Sequence, residues 1–123
     1  MLKIPVGDLL GDYEGARKTL LLDDVLPPDE FEDVAFIGPV SVELELIHVA
    51  FGVQAVFRRI TGTARLAERD YDEEFEVRDV EREYKRKKED ADPDDVGLID
   101  VHGTTIDVAP ALREEVLLEL LNR

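Results

Sequence analysis

The sequence contains no cysteine, no long apolar run and half as many basic residues as acidic ones. The missing cysteines exclude disulfides, thiolate zinc sites, cysteine nucleophiles and thiol redox chemistry. A chain of this kind is typical of a reducing compartment, and we expect a cytoplasmic protein. The longest apolar runs, such as Leu20–Leu22, are far too short to cross a bilayer. Residues 1–10 also lack the apolar centre of a signal peptide.

The charge is strongly unbalanced, with 30 acidic residues, 15 basic residues and a formal net charge of -15. Such an excess of acid opposes the broad basic footprint of a nonspecific nucleic-acid binder, and it opposes docking on an anionic membrane. It favours solubility and suits a basic partner. Hydrophobic residues make up 44% of the 123 residues and charged residues 37%. A length of 123 residues predicts one domain over residues 1–123. The two fractions predict a sizeable core and a large solvated surface.

Most of the chain predicts strands. Apolar and polar residues alternate over 40–46, which is typical of a strand with one buried face. A long strand is predicted at 53–66, where Gly62 marks a bulge or a close approach. Further strands are predicted at 2–6, 19–22, 34–37, 74–84, 98–101 and 105–108. A polar loop is predicted between the first two strands, and a mobile charged loop at about 85–97.

The last segment predicts one strong helix, with Asp107 as the N-cap and Pro110 in the first turn. Five apolar residues at helical spacing are expected to face the core: Ala109, Leu112, Val116, Leu117 and Leu120. Three acidic residues are expected to face solvent: Glu114, Glu115 and Glu119. We expect Arg113 on the flank of the core face, and Ala111 and Leu118 on the opposite side as a hint of an apolar partner surface.

The order of these elements predicts the fold class. Strand runs that precede one amphipathic helix favour an α+β domain, with a mostly antiparallel, curved sheet and a C-terminal helix. An all-β barrel with a helical plug is the structural alternative.

Motifs for catalysis or metal binding are missing. The two histidines, His48 and His102, lack zinc-hydrolase spacing, so we expect His48 at a strand end or in the core and His102 in a solvated turn. Ser41, the only serine, has no glycine elbow around it. Glycine-rich phosphate loops and a complete calcium loop are also absent. We therefore expect no enzyme, no cofactor and no metal site.

Two basic groups stand out against the acidic background. The first comprises Arg58, Arg59, Arg65 and Arg69, and the second is Lys85, Arg86, Lys87 and Lys88. Both are candidates for contact with RNA or a partner, as is Arg113. Acidic residues crowd both groups, and internal charge pairing is therefore the interpretation that we favour.

The order of these motifs resembles the bacterial YceD family, the large ribosomal RNA subunit accumulation proteins. The resemblance covers most of the chain thinly and rests on three blocks: the opening strand 2–6, the glycine-bearing strand 60–66, and the closing block 106–118. Two family cysteines are replaced by Ala67 and Asp70, whereas Arg69 between them is kept. A cysteine-dependent role is therefore excluded here.

The resemblance implies a non-enzymatic cytoplasmic factor that helps large-subunit ribosomal RNA to accumulate during ribosome biogenesis. Its candidate partners are that RNA or a ribosomal protein. A second hypothesis, from the charge alone, is an acidic interaction module that binds a basic protein. A third, an enzyme in which His48 or His102 pairs with a carboxylate, is the weakest of the three.

Overall fold

The computed structural model of this chain describes residues 2–50, 52–85 and 105–122. In this part the elements follow in the order β1 (Lys3–Pro5), α1 (Gly7–Leu10), β2 (Arg17–Leu22), β3 (Val34–Phe36), β4 (Ser41–Val49), β5 (Gly52–Leu66), β6 (Glu73–Lys85), β7 (Thr105–Asp107) and α2 (Ala109–Leu121). The strand predicted at 98–101, His102 and all but the first residue of the predicted loop at 85–97 lie outside the described residues.

The larger sheet is built around β5. Strand β6 pairs with one side of β5, β4 and β3 pair with successive parts of the other side, and β2 pairs with β4. Strands β1 and β7 form a separate two-stranded sheet. All of these pairings are antiparallel, and α2 packs beside β6, so the α+β prediction is confirmed. The barrel alternative is wrong, because β2 and β6 do not pair with each other and the described sheet stays open.

The alternation in β4 is confirmed. Val42, Leu44 and Leu46 are buried while Glu43 is exposed, so one face of the sheet forms the core and the other meets solvent. The strand continues to Val49, beyond its predicted end, because its last residues pair with the start of β5. We call the solvent side of β2, β4, β5 and β6 the outer face.

A bulge interrupts the pairing between β4 and β5. Glu43 lies opposite Arg59, and Leu44 opposite Phe57, which leaves Arg58 as the extra residue. The bulge lets Phe57 and Ile60 both face the core. The predicted bulge at Gly62 is therefore placed four residues too late. Gly62 is instead the predicted close approach, because a Cβ atom there would lie 2.7 Å from the Phe75 ring.

Helix α2 begins at a different cap residue from the predicted one. The N-cap is Val108 and not Asp107, although the Asp107 carboxylate still accepts hydrogen bonds from the Ala109 and Leu2 amides, each at 3.0 Å. The carboxylate thus ties the helix start to β1. Four residues of the helix are buried: Ala111, Leu112, Val116 and Leu120.

The predicted sides of α2 need several corrections. Ala109, predicted to face the core, and Glu119, predicted to face solvent, are both half-buried. Leu117 is exposed and Ala111 is buried, because the buried arc is centred closer to Leu112 than the predicted one. Glu115 is largely buried where it pairs with Arg82 of β6, so it does not face solvent as expected.

The start of the chain contains a short helix that the sequence did not predict. Helix α1 lies where a loop was expected, and burial of Leu9 against β4 holds it. Strand β2 begins at Arg17, two residues early, because Arg17 and Lys18 pair with β4. Tertiary contacts, and not local propensity, therefore account for helix α1 and for the early start of β2. No helix of the described part is long and apolar enough to cross a membrane.

Candidate interaction surfaces

The outer face of the sheet carries a network of paired charges. Glu45 lies at its centre, with Arg17 at 2.7 Å and Arg58 at 3.3 Å from the same carboxylate oxygen. The hydrogen bond from Arg58 is the main reason why the pKa of the Glu45 carboxyl lies below its ordinary value. Arg58 also reaches Asp79 at 3.4 Å, so the bulge brings two carboxylates to one guanidinium.

A second cluster on the outer face follows the middle of β6. Arg59 lies 3.4 Å from Glu76, and the same glutamate also pairs with Arg78. Two open depressions of about 340 and 520 Å³ share Arg59 and Thr61 in their linings. Both are wide open to solvent, and the arginine in both already has a carboxylate partner.

Two arginines lie near the turn that joins β5 to β6. Arg65 pairs with Asp72 at 2.8 Å on the surface. Arg69 is less exposed, at 29%, and it pairs with Glu73, which is only 12% exposed. The second oxygen of Glu73 is buried and finds no donor among the described residues. Arg69, the residue kept in the family resemblance, therefore neutralises a mostly buried carboxylate.

The other sequence candidates lie apart from one another. Arg113 of α2 pairs with Glu30 in the loop before β3, and Lys85 is exposed at the end of β6 with no carboxylate partner in the described part. Arg86, Lys87 and Lys88 lie outside the described residues. All eight described arginines have a carboxylate within 4 Å, and internal charge pairing is confirmed for them.

A different surface lies between the C-terminal half of α2 and the ends of β3 and β5. It is a cavity of about 540 Å³, open to solvent, which we call the helix groove. Its apolar lining consists of Phe31, Val34, Leu66, Ala67, Leu117, Leu120 and Leu121. Among these, Leu117 is 36% exposed and Leu121 is 69% exposed.

The sheet side of the helix groove is held by backbone hydrogen bonds. The amides of Val34, Ala67 and Arg69 donate to the carbonyls of Phe31, Asp33 and Leu66, respectively. The ring of Phe31 lies 6.0 Å from the ring of the buried Phe36 in an edge-on contact, which connects the groove to the core. The Arg113–Glu30 pair ties the adjacent loop to α2.

The rim of the helix groove is acidic. Glu32, Asp33 and Glu68 contribute to its lining and have no basic partner among the described residues. The single cation in the lining, Arg69, is neutralised by Glu73. The last turn of α2 contains no basic residue, so nothing within the helix compensates the partial negative charge of its C-terminal end.

The sequence contains a signal for an apolar partner surface on α2, which we predicted at Ala111 and Leu118. Ala111 is buried, and the groove is lined by Leu117, Leu120 and Leu121 instead. The helix has leucine pairs at 117–118 and 120–121, and adjacent residues on a helix point about 100° apart. Four such leucines cannot all reach one core face. At least some of them had to be exposed.

The residues considered for catalysis have structural partners. His48 lies at the end of β4, as expected, and its Nδ1 donates to the Asp12 carbonyl at 3.0 Å. Ser41 donates to Asp23 at 2.7 Å. The described residues contain no group of three or more histidines and carboxylates arranged to hold a metal ion.

Comparison of the chain with protein-family models, curated proteins and solved structures gave no match. The resemblance to the YceD family therefore stays a prediction.

Proposed function

We propose that this protein is a non-enzymatic interaction module that binds a basic protein through its acidic surface. The observation that carries the proposal is the distribution of charge. The described arginines are all paired with carboxylates, while acidic residues outnumber basic ones twofold in the whole chain. The unpaired charge at the surface is therefore mainly negative, which attracts and orients a positively charged partner.

The arrangement of charges on this surface does not favour direct binding of RNA. A phosphate that approaches Arg58 or Arg59 also meets Glu45, Asp79 or Glu76 within 4 Å of the guanidinium. Affinity for RNA depends on cations that release counterions from the phosphates. A carboxylate beside each cation reduces that gain.

The setting that we propose is cytoplasmic ribosome biogenesis, with a ribosomal protein as the basic partner. The support is the resemblance to the YceD family in the blocks 2–6, 60–66 and 106–118. A ribosomal protein is strongly basic because it binds RNA. An acidic factor that holds it before assembly would help large-subunit ribosomal RNA to accumulate without touching the RNA itself.

The test is recovery of the tagged full-length protein from cells, with and without RNase, at low and at high salt. The proposal predicts basic proteins, identified by mass spectrometry, that remain bound after RNase treatment and leave at high salt. Release of those proteins by RNase, with large-subunit ribosomal RNA recovered before treatment, would show that RNA is the primary partner.

Direct RNA contact is the second candidate function, and one observation favours it. Lys85 is exposed without a carboxylate partner in the described part, and three more basic residues follow it in the sequence: Arg86, Lys87 and Lys88. Binding of large-subunit ribosomal RNA across a salt series tests this candidate. It predicts that a Lys85→Ala variant lowers the slope of log affinity for the RNA against log salt concentration by about 1. The protein-binding proposal predicts that the wild-type protein has no measurable affinity for the RNA at physiological salt.

A further inference from the structure

We propose that the helix groove is the docking site for an amphipathic, basic helix of the partner protein. Its apolar side would enter between α2 and the ends of β3 and β5, and its lysine or arginine residues would face the acidic rim. This inference rests on the proposed function, because it names where and how the basic partner is held.

The apolar part of the argument is the exposure of leucines in a concave site. Leu117 and Leu121 line the helix groove together with Phe31, Val34 and Leu66, and both leucines are partly open to solvent. Scattered exposed apolar residues are ordinary, but a concave apolar cluster with a polar rim marks an interaction site. Covering it removes apolar surface from water on both partners.

The charge around the groove selects a basic occupant. Glu32, Asp33 and Glu68 have no basic partner in the described part of the chain, and Arg69 is already neutralised by Glu73. The C-terminal end of α2, whose Leu120 and Leu121 line the groove, carries a partial negative charge and has no basic residue in its last turn. An occupant with acidic flanks, including a second copy of this acidic chain, would meet repulsion.

The backbone at the groove favours a helical occupant over an added strand. An added strand needs free amides and carbonyls on the edge that it joins. At the groove the Val34, Ala67 and Arg69 amides are already bonded within the chain, and Phe36 on the same edge of β3 donates to the Pro28 carbonyl. A helix satisfies its own backbone hydrogen bonds and needs only side-chain contacts, in the helix-in-groove mode.

The direct test uses a synthetic peptide as the probe. The peptide has about 15 residues, enough for a marginal helix, with leucine at positions i, i+3, i+4 and i+7 of each repeat and lysine elsewhere. One control peptide has the same composition in scrambled order, and another has glutamate in place of lysine. Titration calorimetry with the full-length protein should give binding of the first peptide alone.

Two groove variants and two matched controls locate the site. Leu117→Asp and Leu121→Asp are expected to weaken binding about tenfold or more, because each places a carboxylate in the apolar lining. Leu118→Asp, on the same helix but outside the groove, and Leu21→Asp on the outer face should leave the affinity unchanged. Leu118 and Leu21 are 47% and 78% exposed, so these controls keep the fold and add the same charge.

A rim variant tests the charge selection separately. Glu32→Lys combined with Glu68→Lys should weaken the leucine–lysine peptide, while Glu14→Lys at an exposed site away from the groove should have a smaller effect. Circular dichroism of each variant confirms that it is folded before its affinity is compared.

The outcomes separate the groove from the wider function. Equal binding of the scrambled peptide, or binding that Leu121→Asp leaves intact, would overturn the groove as the docking site while a basic partner recovered from cells would keep the proposed function. Binding of the glutamate peptide, or a shift of the wild-type protein to a dimer that fills the groove, would contradict the proposal that the occupant is a basic helix. Failure of any basic protein to co-purify would remove the proposed function itself.

Discussion

The outer face of the sheet and the helix groove use charge in opposite ways. On the outer face, Glu45 and Glu76 each pair with two arginines, so the cations there are neutralised. At the groove the acidic residues of the rim stay without basic partners in the described part, and they surround exposed leucines. The two regions show that a net charge of -15 is not a uniform property of the surface.

The largest effect is expected from breaking the core contact that supports the groove. Val116 is completely buried on the inner side of α2, and Val116→Asp buries a carboxylate without a partner. The variant should lose about 3 kcal/mol or more of unfolding free energy, enough to leave most of a marginally stable domain unfolded. Chemical denaturation followed by circular dichroism measures this, with Leu118→Asp as the exposed control. A cooperative transition at the wild-type midpoint would show that α2 does not pack as described.

The next largest effect is expected from breaking the partly buried Arg69–Glu73 pair, and an exposed arginine pair of the outer face serves as the comparison. Arg69→Ala leaves the mostly buried Glu73 carboxylate without its cation, and it should cost about 1–3 kcal/mol. Arg59→Ala removes an exposed pair from the outer face and should cost about 0–1 kcal/mol. Urea denaturation of both variants gives the difference. Equal costs would mean that the Arg69–Glu73 pair is no better shielded from solvent than the outer-face network.

The core beneath both surfaces should show a dependence on alkaline pH. Burial raises the pKa of the Tyr84 hydroxyl to about 12, with Arg82 lowering it and Asp107 raising it. The unfolded chain ionises near its ordinary value of about 10, so the folded state binds the proton more tightly. The contribution of the Tyr84 proton to the free energy of unfolding is therefore fully present below about pH 10. It is lost between about pH 10 and 12, by at most about 1.4 kcal/mol per pH unit.

Thermal melts across this pH range measure the loss, with Tyr84→Phe as the control. The variant lacks the titrating group and should show a smaller decline above pH 10. An identical decline in both proteins would assign the effect to other groups.

The smallest effect is expected from the outer face. A double variant, Arg58→Ala with Arg59→Ala, removes two arginines that the sequence marked as contacts, yet it should leave affinity for the basic partner unchanged within about twofold. Surface plasmon resonance with the partner recovered from cells measures the affinity. A large gain or loss would mean that the outer face contributes to the interface.

The periodicity of apolar residues in the sequence predicted most of the strands and the C-terminal helix. The alternation in β4 and the β-rich stretch of β5 predicted strands that the structure contains, since side chains alternate across a sheet with period two. Helix α1 and the first residues of β2 could not be predicted locally, because burial of Leu9 and pairing with β4 create them. The bulge at Arg58 likewise depends on register with β4 and β6, which composition does not specify.

The candidate sites were only partly predictable. Local charge patterns indicated that the arginines have carboxylate neighbours, and this holds for all described arginines. The helix groove needs three distant segments to meet: the loop before β3, the end of β5 and the last turns of α2. No pattern within one segment reveals that meeting, although the surplus of leucines in α2 pointed to an exposed side.

Amide hydrogen exchange of the full-length protein with and without the leucine–lysine peptide tests the central claim most directly. The account predicts new protection at the groove segments 31–34, 66–69 and 117–121, with the outer-face segments 43–45 and 56–59 unchanged. Protection confined to the outer face, with the groove amides exchanging at their free rate, would contradict it.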